Sequence, residues 1–145
     1  MEKLTVEDIL SQSEYESQRE EVRRRLIALK HFRRVQIGPV ISMVFENRDT
    51  VRFQIQEMLR AEHIVEPKAI QKEIDSYNEL IPENGELSAT LFIEIVDNEH
   101  IRESIDNFQG LDDFEHVFIE FGDDRIAAIF EAGHSRSDRI SAVQY

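Results

Sequence analysis

The periodicity of this chain changes sharply at residues 46 and 47. Before them, Ile41-Ser42-Met43-Val44-Phe45 is β-branched and apolar, the pattern of a buried strand. After them, Val51, Ile55, Met58 and Leu59 fall in one arc of a helix that turns about 100° per residue. A strand therefore runs into a helix with almost no connection between them. Asn47 is a good N-cap and Asp49 suits the positive end of a helix dipole, so the spacing predicts a helix over 48–64.

The ionic groups at this junction are the main chemical signal. Arg48 and Glu62 fall inside the core-facing arc, and Arg52, Gln56 and His63 lie along its edge. An ionic group in such a stripe is costly unless it is paired and hydrogen-bonded. Internal pairing meets that demand if Arg48 or Arg52 bridges to Glu46, Glu62 or a neighbouring element. A cleft meets it differently: the helix N-terminus, with Arg33, Arg34, Arg48 and Arg52 near it, would hold a carboxylate or phosphate. A catalytic arrangement would use Glu46 or Glu57 as general base beside Arg52, but sequence shows neither a placed substrate nor a tuned acidity. The candidate binding residues are Arg33, Arg34, Glu46, Asn47, Arg48, Asp49, Arg52, Gln56 and Glu57. No catalytic residue is assigned.

The flanking sequence supplies short elements of both kinds. Thr5-Val6-Glu7-Asp8 and Ser13-Glu14-Tyr15-Glu16 both match a capping box, opening helices over 6–12 and 14–30. Tyr15, Val22, Leu26 and Leu29 give the second helix a narrow apolar stripe, and Arg23, Arg24 and Arg25 read as its solvated face. Val35 and Ile37 alternate ahead of a Gly38-Pro39 turn, which points to a hairpin with residues 40–45. Pro67 sits at a helix start, and Ile70, Ile74, Tyr77 and Ile81 continue as an amphipathic face until Pro82-Glu83-Asn84-Gly85. Residues 87–96 alternate cleanly and form the clearest strand. A helix carrying Ile101, Ile105 and Phe108 is expected next, stopped by Gly110. Strands over 116–121 and 125–131 join at Gly122-Asp123-Asp124; a polar loop over 133–139 leads to a last strand over 140–145. Helices and strands mix without regular βαβ alternation, which predicts an α+β fold: one domain over 1–145, a mostly antiparallel sheet and several packed helices. A charge shift near residue 65 allows a subdivision there.

Charge and composition narrow the function classes. Of the net charge of −13, all comes from residues 65–145, with 19 acids against 6 bases; residues 1–64 balance at 11 each. Such a C-terminal half repels a phosphate backbone, so no nucleic-acid partner is expected. It suits solubility or a basic protein partner. No apolar run approaches the ~18 residues of a membrane span, and Met1-Glu2-Lys3-Leu4-Thr5 lacks a signal-peptide pattern. A cytoplasmic protein without membrane contact is expected. The absence of cysteine excludes disulfides, thiol nucleophiles and thiolate metal sites. Glu131-Ala-Gly-His134 has the spacing of a di-iron helix motif, but a glycine lies inside it and its second copy is missing. His116 and Glu120 share a strand face too far apart to chelate together. Glycine-rich phosphate loops and nucleophile elbows are lacking, so no cofactor and no metal is assigned.

The run from Phe45-Glu46-Asn47-Arg48-Asp49-Thr50-Val51-Arg52 through Gln54-Ile55-Gln56-Glu57-Met58 resembles the signature of a bacterial family known as domain of unknown function 3501. Arg33-Arg34 with Gly38, Tyr77-Asn78-Glu79-Leu80-Ile81-Pro82 and Ser141-Ala142-Val143 resemble it too, so the likeness runs through most of the chain. The family has no established activity. Its association with genes for rubrerythrin-like and iron–sulfur proteins implies an accessory role in redox or peroxide stress. The reading is therefore a non-enzymatic accessory or interaction protein with a protein partner, and an edge strand near the C-terminus allows a homodimer. The alternative is a small-molecule anion binder or enzyme with its site at residues 45–57.

Overall fold

The computed structural model describes residues 2–95, 106, 108, 110, 111, 116–130, 135, 136, 139 and 140. Helix α1 (Gln12–His31) begins at Ser11 rather than Ser13. Each serine has a glutamate three residues on, so two capping boxes compete. Ser11 wins: its N–H and hydroxyl both donate to the Glu14 carboxylate, at 3.1 and 2.5 Å. Glu16, the competing partner, is drawn instead to Arg60 of the facing helix. Tyr15 and Leu26 are the fully buried members of the predicted stripe. Arg23, Arg24 and Arg25 form a solvated face, paired with Glu20 and Glu21.

Strands β1 (Arg34–Ile37) and β2 (Ile41–Phe45) form the expected antiparallel hairpin, with Val35 opposite Met43 and Ile37 opposite Ile41. Gly38 turns the chain at φ +65°, in the region glycine enters without a Cβ clash. β2 is buried on alternate residues only, at Ser42 and Val44. β3 (Ala89–Ile93) flanks β2 on its other side, giving the order β1-β2-β3. It covers half of the ten-residue alternation.

Helix α2 (Arg48–Ala61) starts at Asn47 as predicted. The Thr50 N–H donates to Asn47 Oδ1, and the Asn47 N–H donates to Thr50 Oγ1, both at 2.9 Å. The helix stops short of residue 64 because His63 enters the left-handed region at φ +53°, and the Ile64 N–H closes on the Leu59 carbonyl at 2.9 Å. Glu62 therefore leaves the core-facing arc and is exposed. Helix α3 (Pro67–Asn78) begins with its proline in the first turn. Val51, Ile55 and Leu59 of α2, Ile74 of α3, Ile81 and Leu4 form one buried cluster. Each such side chain contributes about 1.5–3 kcal/mol by leaving water.

Residues 3–10 form a strap rather than the predicted helix over 6–12; only Val6–Asp8 makes a single 3-10 turn. Side-chain amides hold it by its main chain. The Leu4 N–H donates to Asn78 Oδ1 at 2.8 Å, and Asn78 Nδ2 donates back to the Leu4 carbonyl at 2.9 Å. Gln56 grips Leu10 in the same two-point way, at 2.6 and 3.3 Å. Lys3 Nζ donates to the carbonyls of Asn78 and Ile81 at the end of α3.

The chain divides into two compact units, Met1–Phe92 and Ile93–Tyr145. In the second, β4 (Phe118–Phe121) and β5 (Asp124–Ala127) pair antiparallel around Gly122, which sits at φ +60°. Two-residue strands β6 (Ser135–Arg136) and β7 (Arg139–Ile140) pair, the first within the stretch expected as a polar loop and the second at its junction with the expected last strand. Most of the helix expected around Ile101 and Ile105, the strand beyond residue 140, and Glu131 with His134 lie outside the described residues. The architecture is α+β, combining helices with small antiparallel sheets. No helix among the described residues is long and apolar enough to cross a membrane.

Candidate functional site

Glu46 is the last residue before the α2 cap, and only 2% of it is exposed. Its carboxylate accepts hydrogen bonds from the hydroxyl of Thr50, one turn into α2, and from that of Thr90 on β3 at 2.6 Å. Its main-chain N–H donates to the Ser88 carbonyl at 2.8 Å. One buried acid thus joins the first turn of α2 to β3. Arg33 reinforces the same corner by donating to the carbonyls of Phe45 and Glu46, at 2.6 and 3.0 Å. Arg34 donates to Ser42 Oγ at 2.8 Å and lies 5.2 Å from the centre of the Phe92 ring.

Arg48 and Gln56 turn toward the strap. Arg48 Nη2 donates to Asp8 at 2.5 Å, while its Nε is buried without a hydrogen-bond partner. Asp8 accepts the Thr5 N–H as well. That bond first, and the Arg48 hydrogen bond next, hold its carboxyl below the ordinary value. Arg52 meets Asp49 at 3.4 Å on the exposed face, a geometry of little energetic weight.

Glu57 faces α1. Arg19 donates to it through both Nε and Nη2 at 2.8 Å, a bidentate pair, and the Tyr15 hydroxyl donates at 2.7 Å. The Arg19 hydrogen bonds are the main reason the Glu57 carboxyl lies below its ordinary value; burial opposes the shift and Tyr15 adds to it. Burial first, then the Glu57 carboxylate, pushes the Tyr15 hydroxyl up.

The nine candidate residues therefore do not converge on one point. Glu46, Asn47, Arg33 and Arg34 tie the sheet to the helix start. Arg48 and Gln56 hold the strap, Glu57 locks α1, and Asp49 with Arg52 lies outward. Arg48 reaches Asp8 rather than Glu46 or Glu62, and neither Glu46 nor Glu57 has a hydrogen bond to Arg52 among its contacts. Sequence reasoning missed Asp8, Tyr15, Arg19, Thr50 and Thr90 as the partners. Only Thr90 carried a hint, as a polar residue on the less apolar face of its strand. Among the described residues, no three or more His, Asp or Glu side chains gather closely enough to hold a metal ion.

The fold recurs in a solved structure from Burkholderia pseudomallei described as a novel protein of unknown function. It is 34% identical, with a TM-score of 0.78, over 87% of this chain and 71% of that one. No curated protein matches the chain. The profile of the family described as Protein of unknown function (DUF3501) matches residues 3–145.

Proposed function

The chain belongs to the family Protein of unknown function (DUF3501), and on that premise we propose a non-enzymatic interaction protein whose 45–57 motif is scaffold. What supports this reading is the inward engagement of the motif. A site that holds an anion or moves a proton needs a group with hydrogen-bonding capacity left for its ligand. Here Arg33 and Arg34 bond to main-chain and hydroxyl oxygens and Arg48 bonds to Asp8, while Arg52 lies outward, 3.4 Å from Asp49. Glu46 accepts two hydroxyls, and Glu57 accepts three donors. The motif holds strap, sheet and helices in register, which leaves recognition to the outer surface. A role in redox or peroxide stress would be exerted through the partner; the chain has no cysteine to serve as a redox thiol of its own.

Native mass spectrometry of the protein purified from its own host tests the reading. The expected mass is that of the bare polypeptide, alone or within a protein complex. A small-molecule excess that disappears on denaturation would overturn it in favour of an anion site at the Asn47 helix start.

A further inference from the structure

Residues 22–45 hold six of the seventeen Lys and Arg residues and no Asp or Glu, in a chain of net charge −13. This positive segment builds the second half of α1 and the β1–β2 hairpin. Among the described residues β1 is the outer strand of its sheet, and all four of its own residues are exposed. Val35 and Ile37 share one face of it, 48% and 46% exposed, and Phe32 just before it is 86% exposed. The Phe45 N–H donates to the Arg33 carbonyl, so residues 33, 35 and 37 bond inward to β2. The main-chain groups between them, those of Gln36 included, point away from β2. An apolar strand edge of this kind is a template for another strand.

Charge decides what fits. Pairing β1 with β1 of a second copy would bring two positive segments together, which repels. Arg33 donates to neutral carbonyls and Lys30 lies over the Phe53 ring, so neither charge is cancelled by these contacts. Arg23, Arg24 and Arg25 share only the two carboxylates of Glu20 and Glu21 in their ion pairs. We propose that β1 accepts, as an added strand, an extended acidic segment of a partner protein. Main-chain hydrogen bonds along the edge give the affinity. Apolar side chains at alternate positions of the segment pack on Val35 and Ile37, and its carboxylates meet the charge of Lys30 and Arg33 and the excess of Arg23, Arg24 and Arg25 over Glu20 and Glu21. The inference rests on the interaction-protein reading and names the partner's chemistry.

Fluorescence anisotropy with the full chain and three labelled octapeptides tests it. One peptide alternates valine and glutamate, one alternates valine and lysine, and one is the glutamate peptide N-methylated at every second residue. The glutamate peptide is expected to bind, and the other two to bind at least about tenfold more weakly. Raising salt from about 0.05 to 0.5 M weakens the glutamate complex about tenfold. The double variant Val35→Glu, Ile37→Glu loses at least about tenfold in affinity with its melting temperature unchanged. Absence of saturable binding, equal binding of the lysine or N-methylated peptide, or indifference to the double variant overturns the proposal. So does a dimer in light scattering that the double variant dissociates, because the edge then belongs to a second copy. Should the double variant fail to fold, the N-methylated peptide still decides. A small-molecule adduct in native mass spectrometry refutes the interaction reading by a separate measurement, so the two failures are distinguishable.

Discussion

Among single residues, Glu57 carries the most. Replacing Glu57 by Gln keeps its shape but leaves Arg19 and Tyr15 without a charged acceptor, and should lower stability by about 2 kcal/mol in urea unfolding. Its carboxyl is held below the ordinary 4.5, so its contribution is present above that pH and is lost as pH falls toward the folded-state value. Tyr15 titrates above its ordinary 10.0, so its contribution is present below pH 10 and is lost as pH rises further. Stability measured against pH should therefore fall at both ends. Glu57→Gln should flatten the acid limb and Tyr15→Phe the alkaline one; a parent curve without an alkaline fall would contradict the Tyr15 assignment. Arg48→Met combined with Asp8→Asn in a double-mutant cycle should give a coupling of about 1 kcal/mol. The sequence placed Arg48 within the core-facing arc and Gln56 at its edge as polar groups needing partners, and Glu57 only among the binding and general-base candidates. It could not name those partners, because Asp8, Leu10 and Tyr15 lie 40, 46 and 42 residues away and no local pattern links them.

At the scale of elements, legibility follows locality. Asn47, Pro67 and Gly38 each act on their immediate neighbours, and each was readable as a cap, a first-turn residue and a turn. Asn47→Ala should cost about 1 kcal/mol. Gly38→Ala should cost about 1 kcal/mol from backbone strain alone, since nothing lies within 4 Å of the added Cβ. Thermal melts of both variants check these values, and an unchanged Asn47→Ala would mean the cap adds nothing here. The start of α1 and the end of α2 were misread for different reasons. Ser11 and Ser13 carry the same local signal; Glu14 bonds Ser11, while Glu16 bonds Arg60. The end of α2 is set by a left-handed His63, where the sequence pattern favours neither glycine nor a stop.

For the whole molecule, the buried cluster from Leu4 to Ile81 lies within one contiguous part of the chain. A fragment of residues 1–95 should keep its helical circular-dichroism signal and melt in one cooperative transition; a gradual melt would show that the core depends on later residues. The α+β class was legible because apolar spacing of both periods is present and unambiguous. The strap was not, because beyond the local Thr5–Asp8 turn it is held by amides of Gln56 and Asn78 from far along the chain.

That strap also fixes an order of events during synthesis. Lys3, Leu4 and Leu10 emerge from the ribosome well before the groups that hold them, across separations of 46 to 78 residues. Leu10 waits for Gln56 of α2, and Lys3 and Leu4 wait until the end of α3 is outside the exit tunnel. The strap is thus sheltered only after the segments that hold it are made, and a protease or modifying enzyme that meets the nascent chain has its opportunity before Asn78 arrives.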